Sequence, residues 1–369
     1  MKSLLLLTLL FPSLLWFQQS VVRDGDPPPK WKVDIDPSSG TEVRLPSPAM
    51  RLLPQCRGGM CYAVFALDPF TKDPAHRLPL QIAAFTLSGQ SHFLDPSLIQ
   101  GLTYVAIRDF APNEDGGVYV LIHAVEKDSL PKSGGAPDSN TTAPSTFAQA
   151  ATSNNYLAVY DSNGQFIGIH HLELQFEPIR MVSLTEQLLV SGFDRVHNQP
   201  VLAILRTDGS LVRLLDDQGR LPDATTLLAT APWKIDKDAP LLFQQVAISG
   251  ALSGLTFGYA GGRALLLDPG ANAAIWEIRG TEVKRTNLKM PKGVVAASIV
   301  SSDGAWLIRA FVSATDSGML LEFDRETGEL KRQVDSGGVP ATSIFLESGN
   351  TFYAFWWNAQ HQSFIVKSS

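Results

Sequence analysis

Apolar and polar positions in this chain change over short distances. No long stretch keeps the 3.6-residue apolar period of an amphipathic helix. Short alternating or solidly apolar runs are instead separated by turns rich in Gly, Asp, Asn and Ser. One such unit is LLEFDRETGELKRQV, residues 320–334: an apolar strand, Asp324, the Thr327-Gly328 turn and an alternating strand. The same form recurs as VDIDPSSGTEV (33–43), AFTLSGQSHFL (84–94), VYDSNGQFI (159–167), AILRTDGSLV (203–212) and IWEIRGTEV (275–283). Glycine supplies the positive φ a tight hairpin needs, and the Asp, Asn or Ser before it bonds the local backbone. Asp324 and Thr327 are therefore read as turn formers.

The turn glycines are Gly40, Gly89, Gly164, Gly209, Gly280 and Gly328, with gaps of 49, 75, 45, 71 and 48 residues. The two long gaps contain Lys127–Asn154, poor in apolar periodicity and read as a disordered insertion, and Asp216–Pro240, read as a long insertion between repeats. Without them every gap approaches the period of a four-stranded propeller blade. Gly270 is a rival turn in the fifth unit, and choosing it spoils the spacing. Before the later turns stand further strand pairs, such as Val295–Val300 with Trp306–Phe311 and Met181–Leu184 with Leu188–Phe193. The expected fold is all-β, a six-bladed β-propeller over residues 31–369. One or both strands of the N-terminal hairpin, Trp31–Leu45, would complete the last blade and remove an exposed edge. Two packed sandwiches are the alternative.

On this period and turn type the chain resembles six-bladed propellers of the broad NHL-like and TolB-like kind. Asp324–Gly328 (DRETG) is similar to the D-x-x-T-G turn of quinoprotein-type repeats, without the tryptophan that follows it there. No Trp-Asp ending, YWTD tetrad or Asp-box occurs, so no subfamily is identified.

Charge and composition narrow the setting. The net charge is −6 and no Lys/Arg run is present, which argues against nucleic acid as a partner. Met1-Lys2 followed by the apolar Leu4–Phe17 has the shape of a secretory signal, so 1–20 is read as a signal peptide or, if uncleaved, a membrane anchor. Residues 21–30 include a proline-rich spacer. A secreted or periplasmic, monomeric protein is expected. Cys56 and Cys61, the only cysteines, flank Arg57–Met60 and fit a disulfide across a hairpin. Two free thiols or half of a metal site are the competing readings.

Catalytic templates are not met: there is no G-x-S-x-G and no H-E-x-x-H. Gly258–Gly262 (GYAGG) reads as a strand end, and His170-His171 as packing and solvent contacts on an outgoing strand. No cofactor is identified. Topology is more informative. In such blades the loops joining strands 2 and 3 share a face with those joining strand 4 to the next blade. Asp68–Pro79, Lys127–Asn154, Asp194–Pro200, Asn358–Ser363 and Asp216–Pro240 all fall there. Loops on a rigid scaffold carry function. The candidate binding residues are His76, Arg77, Arg195, His197, Trp233, Lys234 and His361, a mixture suited to an anionic or sugar-like ligand or to a protein partner. The first strands read as mostly apolar or small, which favours a binding protein. A metal-dependent hydrolase or lyase with its site in the channel is the alternative.

Overall fold

A computed structural model describes residues 30–32, 41–43, 50–66, 80–86, 88–129, 153–215, 255–260, 262–269, 272–280, 282–301, 305–312, 318–335, 343–348, 351–358 and 363–368. Two short N-terminal strands, β1 (Lys30–Lys32) and β2 (Thr41–Val43), come first. Sheet 1 holds β3 (Met50–Arg57), β4 (Met60–Ala66), β5 (Leu80–Thr86) and β6 (Ser91–Leu94). Sheet 2 holds β7 (Leu102–Pro112), β8 (Val118–Glu126), β9 (Ser153–Tyr160) and β10 (Phe166–His171). Sheet 3 holds β11 (Glu177–Ser183), β12 (Gln187–Asp194), β13 (Gln199–Arg206) and β14 (Leu211–Leu215). Sheet 4 holds β15 (Thr256–Ala260), β16 (Arg263–Asp268), β17 (Ala274–Arg279) and β18 (Glu282–Asn287). Sheet 5 holds β19 (Val294–Ser301), β20 (Trp306–Val312), β21 (Gly318–Phe323) and β22 (Leu330–Asp335). Sheet 6 holds β23 (Ile344–Ser348), β24 (Thr351–Asn358) and β25 (Ser363–Ser368).

Each sheet is an antiparallel meander, and the whole is a β-propeller of four-stranded blades. The first strands stand against one another in chain order, and β23 also stands against β3. Middle strands are buried on both faces, which is why they read as continuous apolar runs. In β4, Tyr62 and Val64 pack toward sheet 2, while Cys61, Ala63 and Phe65 pack toward sheet 6. In β16, Ala264 and Leu266 face sheet 3, while Leu265 and Leu267 face sheet 5. Outermost strands pack on one side only, so β14 and β18 are largely exposed.

Several expectations need correction. β1 and β2 do not pair with each other. β1 lies parallel on β22, with Trp31 opposite Val334, and β2 lies antiparallel on β25, with Glu42 opposite Ile365. Each strand satisfies a different bare edge. The insertion expected over 127–154 is shorter: Lys127–Ser129 is a 3-10 turn, and Ser153 and Asn154 already pair with Val125 and Ala124. Asp194–Pro200 is not an elaborated loop. Asp194 pairs with Gln199 and Phe193 with Pro200, leaving a tight turn at 195–198. The strand read as Met181–Leu184 begins earlier, at Glu177, and β7 carries Arg108-Asp109 within its span to Pro112. Asp216–Pro240 and the N-terminal segment 1–29 lie outside the described residues. Among the described residues no helix is long and apolar enough to cross a membrane.

The described turn glycines, Gly89, Gly164, Gly209, Gly280 and Gly328, carry the expected positive φ, Gly40 lies outside the described residues, and Gly280, not Gly270, joins β17 to β18 with φ 57°. These turns do more than reverse the chain. The Asp324 carboxylate accepts from the Glu326 and Thr327 amides, both at 2.9 Å, and from the Thr327 hydroxyl at 3.1 Å. Those bonds, with Lys331 beside it, hold its pKa well below the usual carboxylate range. The turn so built docks on sheet 4. Lys289 N donates to Gly328 O at 2.8 Å. Arg325 reaches Glu277, which also accepts from Arg263 at 2.8 Å. Gly164 and Gly209 sit against sheets 1 and 2 in the same way, over His92 and Leu172.

Candidate functional site

Polar side chains gather at two levels of the channel bounded by the first strands. The upper cluster lies where β7 meets β11, toward the face of the 195–198 turn. A bulge between Ile107 and Asp109 leaves Arg108 out of the β7–β8 register. A second bulge, between Pro178 and Arg180, interrupts β11. Bulges re-aim side chains, and here they set charges on otherwise apolar strands. Arg108 Nη2 donates to Glu177 Oε1 at 3.1 Å, and Arg195 donates to Glu177 Oε2 from Nε at 2.9 Å and Nη2 at 2.5 Å. Both guanidiniums stay partly exposed, at 39% and 54%, over a carboxylate that is 18% exposed. Behind them Asp109, 1% exposed, accepts from Arg180 Nη1 at 3.2 Å and from Met181 N at 2.7 Å. Burial pushes the Asp109 carboxyl up, and Arg180 and the Met181 amide oppose that shift. Removing Arg180 would leave a buried charge without its counterion, which costs about 3–5 kcal/mol.

The 195–198 turn presents Arg195 by a local mechanism. Asp194 Oδ1 accepts from the Val196 and His197 amides at 2.8 and 3.0 Å, and Asn198 takes a positive φ of 54°. His197 Nδ1 stands 2.6 Å from Asp194 Oδ2, and this hydrogen bond holds the Asp194 carboxyl below its usual range.

The lower cluster lies on the opposite face, among the tight turns. Arg57 Nη1 donates to Ser183 O at 2.5 Å and Nη2 to Glu114 Oε1 at 2.7 Å. Tyr259 OH donates to the same Glu114 oxygen at 3.0 Å, and Thr185 Oγ1 stands at 3.5 Å. The Arg57 guanidinium stacks 3.5 Å from the Tyr259 ring centroid. The bond from Arg57, with that from Tyr259, lowers the pKa of Glu114. Cys56 and Cys61 are joined in a disulfide across the hairpin that carries Arg57, as directly opposed partners in the ladder. The tip of that hairpin meets sheet 2: a Cβ at Gly58 would fall 2.4 Å from Gly116 N, and Tyr62 OH donates to Gly116 O at 2.6 Å.

Of the seven candidate binding residues, Arg195 and His197 are described. Arg195 is tied to Glu177, and His197 to Asp194 within the turn. His76, Arg77, Trp233, Lys234 and His361 lie outside the described residues. His170 and His171 help line a cleft of about 440 Å³ with Glu173 and the 208–211 stretch, and the His171 ring packs 5.2 Å from that of Tyr156. Among the described residues no three His, Cys, Asp or Glu side chains are grouped to hold a metal ion. Residues missed in the sequence are Arg108, Asp109, Glu177 and Arg180 above, and Arg57, Glu114 and Tyr259 below. The readable signal was an acid–base pair flanking the apolar run of a first strand: RD after YVAI, and EPIR before MVS.

No family description and no curated protein matches the chain. Solved structures do. The β-propeller domain of the Trilobed protease from Pyrococcus furiosus matches at TM-score 0.40 and 9% identity, over 84% of this chain and 78% of that one. A chain of a nidogen/laminin complex matches at TM-score 0.39 and 12% identity, over 76% of each chain. A mutant of Trypanosoma rangeli sialidase displaying trans-sialidase activity matches at TM-score 0.45 and 9% identity, over 90% of this chain and 59% of that one. At these levels no activity is transferred, and the propeller rests on the chain's own sheet order.

Proposed function

We propose that the chain is an exported six-bladed propeller that binds a ligand or protein partner at the loop-bearing end of its channel, without catalysing a reaction. The observation that carries the binding reading is the upper cluster, in which Arg108 and Arg195 hold partly exposed guanidiniums over Glu177. Guanidinium forks match carboxylates and phosphates, and Arg is enriched where partners bind. An acidic group on the ligand competes with Glu177 for Arg195. Trp233 and Lys234 lie outside the described residues and enter this proposal from the sequence reading alone. Partners are to be identified by pull-down from the native exported fraction, and affinity then measured for an Arg195→Ala/Trp233→Ala double variant. At least tenfold weaker binding is expected. Undiminished binding, with loss on altering the tight-turn face at Asp208 or Asp324 instead, would invert the assignment.

Six blades and a closed ring are part of the same proposal. Three features support it. β23 stands against β3. Phe85 of sheet 1 and Phe355 of sheet 6 pack with ring centroids 5.2 Å apart. β2 adds the fourth strand to sheet 6. Deleting residues 30–46 reopens two sheet edges and is expected to lower the unfolding midpoint sharply. An unchanged midpoint refutes closure by this segment.

A further inference from the structure

We infer that the channel is barred at its tight-turn end by a bracket from Arg57 to Tyr259, so that the binding site is a pocket with one mouth. In the chain-order ring of first strands, β3 and β15 are separated by two strands on either side, which places them across the axis from each other. An arginine and a tyrosine each reach only part of that span; together they cross it. Their side chains do meet: the guanidinium lies 3.5 Å from the Tyr259 ring centroid. Sheets 2 and 3 hold the stack in place. Glu114 accepts from Arg57 at 2.7 Å and from Tyr259 at 3.0 Å, and Ser183 O accepts from Arg57 at 2.5 Å. The Arg57 side chain is 10% exposed. Four sheets thus contribute to one ionic and aromatic contact over the axis.

The bracket deepens the proposed function, and it rests on the ring and on the loop-bearing end being where ligand enters. A channel closed at one end cannot be threaded by a polymer. Its ligand is a compact molecule, or the end of a chain, that enters and leaves on the Arg108–Arg195 side with its acidic group toward those guanidiniums. Arg57 closes the floor, and its Nε has no hydrogen-bond acceptor among the described residues.

The test is a double-substitution cycle on the full mature chain, Arg57→Gln with Tyr259→Leu. These changes remove charge and ring while keeping most of the volume. Coupling of at least about fivefold in the unfolding equilibrium constant is expected. Additivity within about twofold overturns the bracket, because residues on opposite sheets that do not touch should not couple. A crystal structure of the unaltered protein supplies the second readout. Solvent interrupted at Arg57 and Tyr259 is the expected result, and a water-filled tunnel running past both residues overturns it. Failure here with binding still lost in the Arg195→Ala/Trp233→Ala variant sinks the bracket and leaves the binding site standing. The reverse result leaves the bracket and removes the site.

Discussion

Gly328 and Gly280 hold the same position in neighbouring blades, the turn between the third and fourth strands, with φ 68° and 57°. Alanine at either costs about 1–2 kcal/mol for the left-handed conformation. The surroundings then separate them. Among the described residues nothing lies within 4 Å of a Cβ at Gly280, whereas a Cβ at Gly328 falls 1.9 Å from Asn287 O and 2.9 Å from its carbonyl carbon. Backbone cannot rotate away as a side chain can. The 324–328 turn must lift from sheet 4, which disturbs the Lys289 N to Gly328 O bond of 2.8 Å and the reach of Arg325 to Glu277. Overpacking of this kind adds about 2–3 kcal/mol. Gly328→Ala is therefore expected to destabilise by about 4 kcal/mol and Gly280→Ala by about 1.5 kcal/mol. Urea unfolding followed by tryptophan fluorescence reads this directly, since Trp276 and Trp306 are buried in sheets 4 and 5. Destabilisation of the two variants equal within about 0.5 kcal/mol refutes the docking of this turn on its neighbour.

Three further outcomes are expected. Reducing the Cys56–Cys61 disulfide, which closes a loop of sequence separation 5, should lower stability by about 2 kcal/mol by the loop-entropy relation; coincident urea curves with and without reductant would refute a stabilising cross-link. Burial pushes the Asp268 carboxyl up to about 6, against Arg285. The folded state then holds this proton more tightly than the unfolded one, so stability falls as pH rises from about 4 to about 6, by about 1–2 kcal/mol after allowing for partial exposure. Asp268→Asn should flatten that limb, and a variant with the same pH slope as the parent contradicts the assignment. Tyr62→Phe leaves Gly116 O without its 2.6 Å donor and should cost about 1–2 kcal/mol in the same unfolding assay, whereas an unaffected midpoint would show that this bond between sheets 1 and 2 contributes nothing.

Much of the fold was legible because its signals are local. A strand buried on both faces, such as β12, shows as a solid apolar run, and a tight hairpin shows as glycine after Asp, Asn or Ser. The 161–164 turn illustrates this: Asp161 accepts from the Asn163 and Gln165 amides at 2.9 and 2.8 Å, all within five residues of sequence. Less of the site was legible. Arg195 was singled out for its charge and loop, but its partner Glu177 lies in β11, the first strand of the same sheet, before the point where the apolar run suggested that strand begins. Asp194–Pro200 looked like an elaborated loop because polar residues also occupy strand ends facing water. The N-terminal stretch looked like one hairpin because a turn glycine predicts a reversal, not the sheet in which each arm finds a partner.

The sequence by itself therefore determined most strand positions, the turn chemistry and the repeat, and offered the pairing of Cys56 with Cys61 as one of three readings. Each depends on groups a few residues apart, through side-chain alternation, positive φ or loop closure. Only the tertiary structure decided that β1 and β2 join different sheets, that the DRETG turn is also a staple on sheet 4, and that Arg57, Glu114 and Tyr259 meet. Tyr259 and Glu114 are 145 residues apart. Their contact is set by the curvature that stacks the blades around one axis, and no local pattern encodes which two side chains that curvature will point at each other.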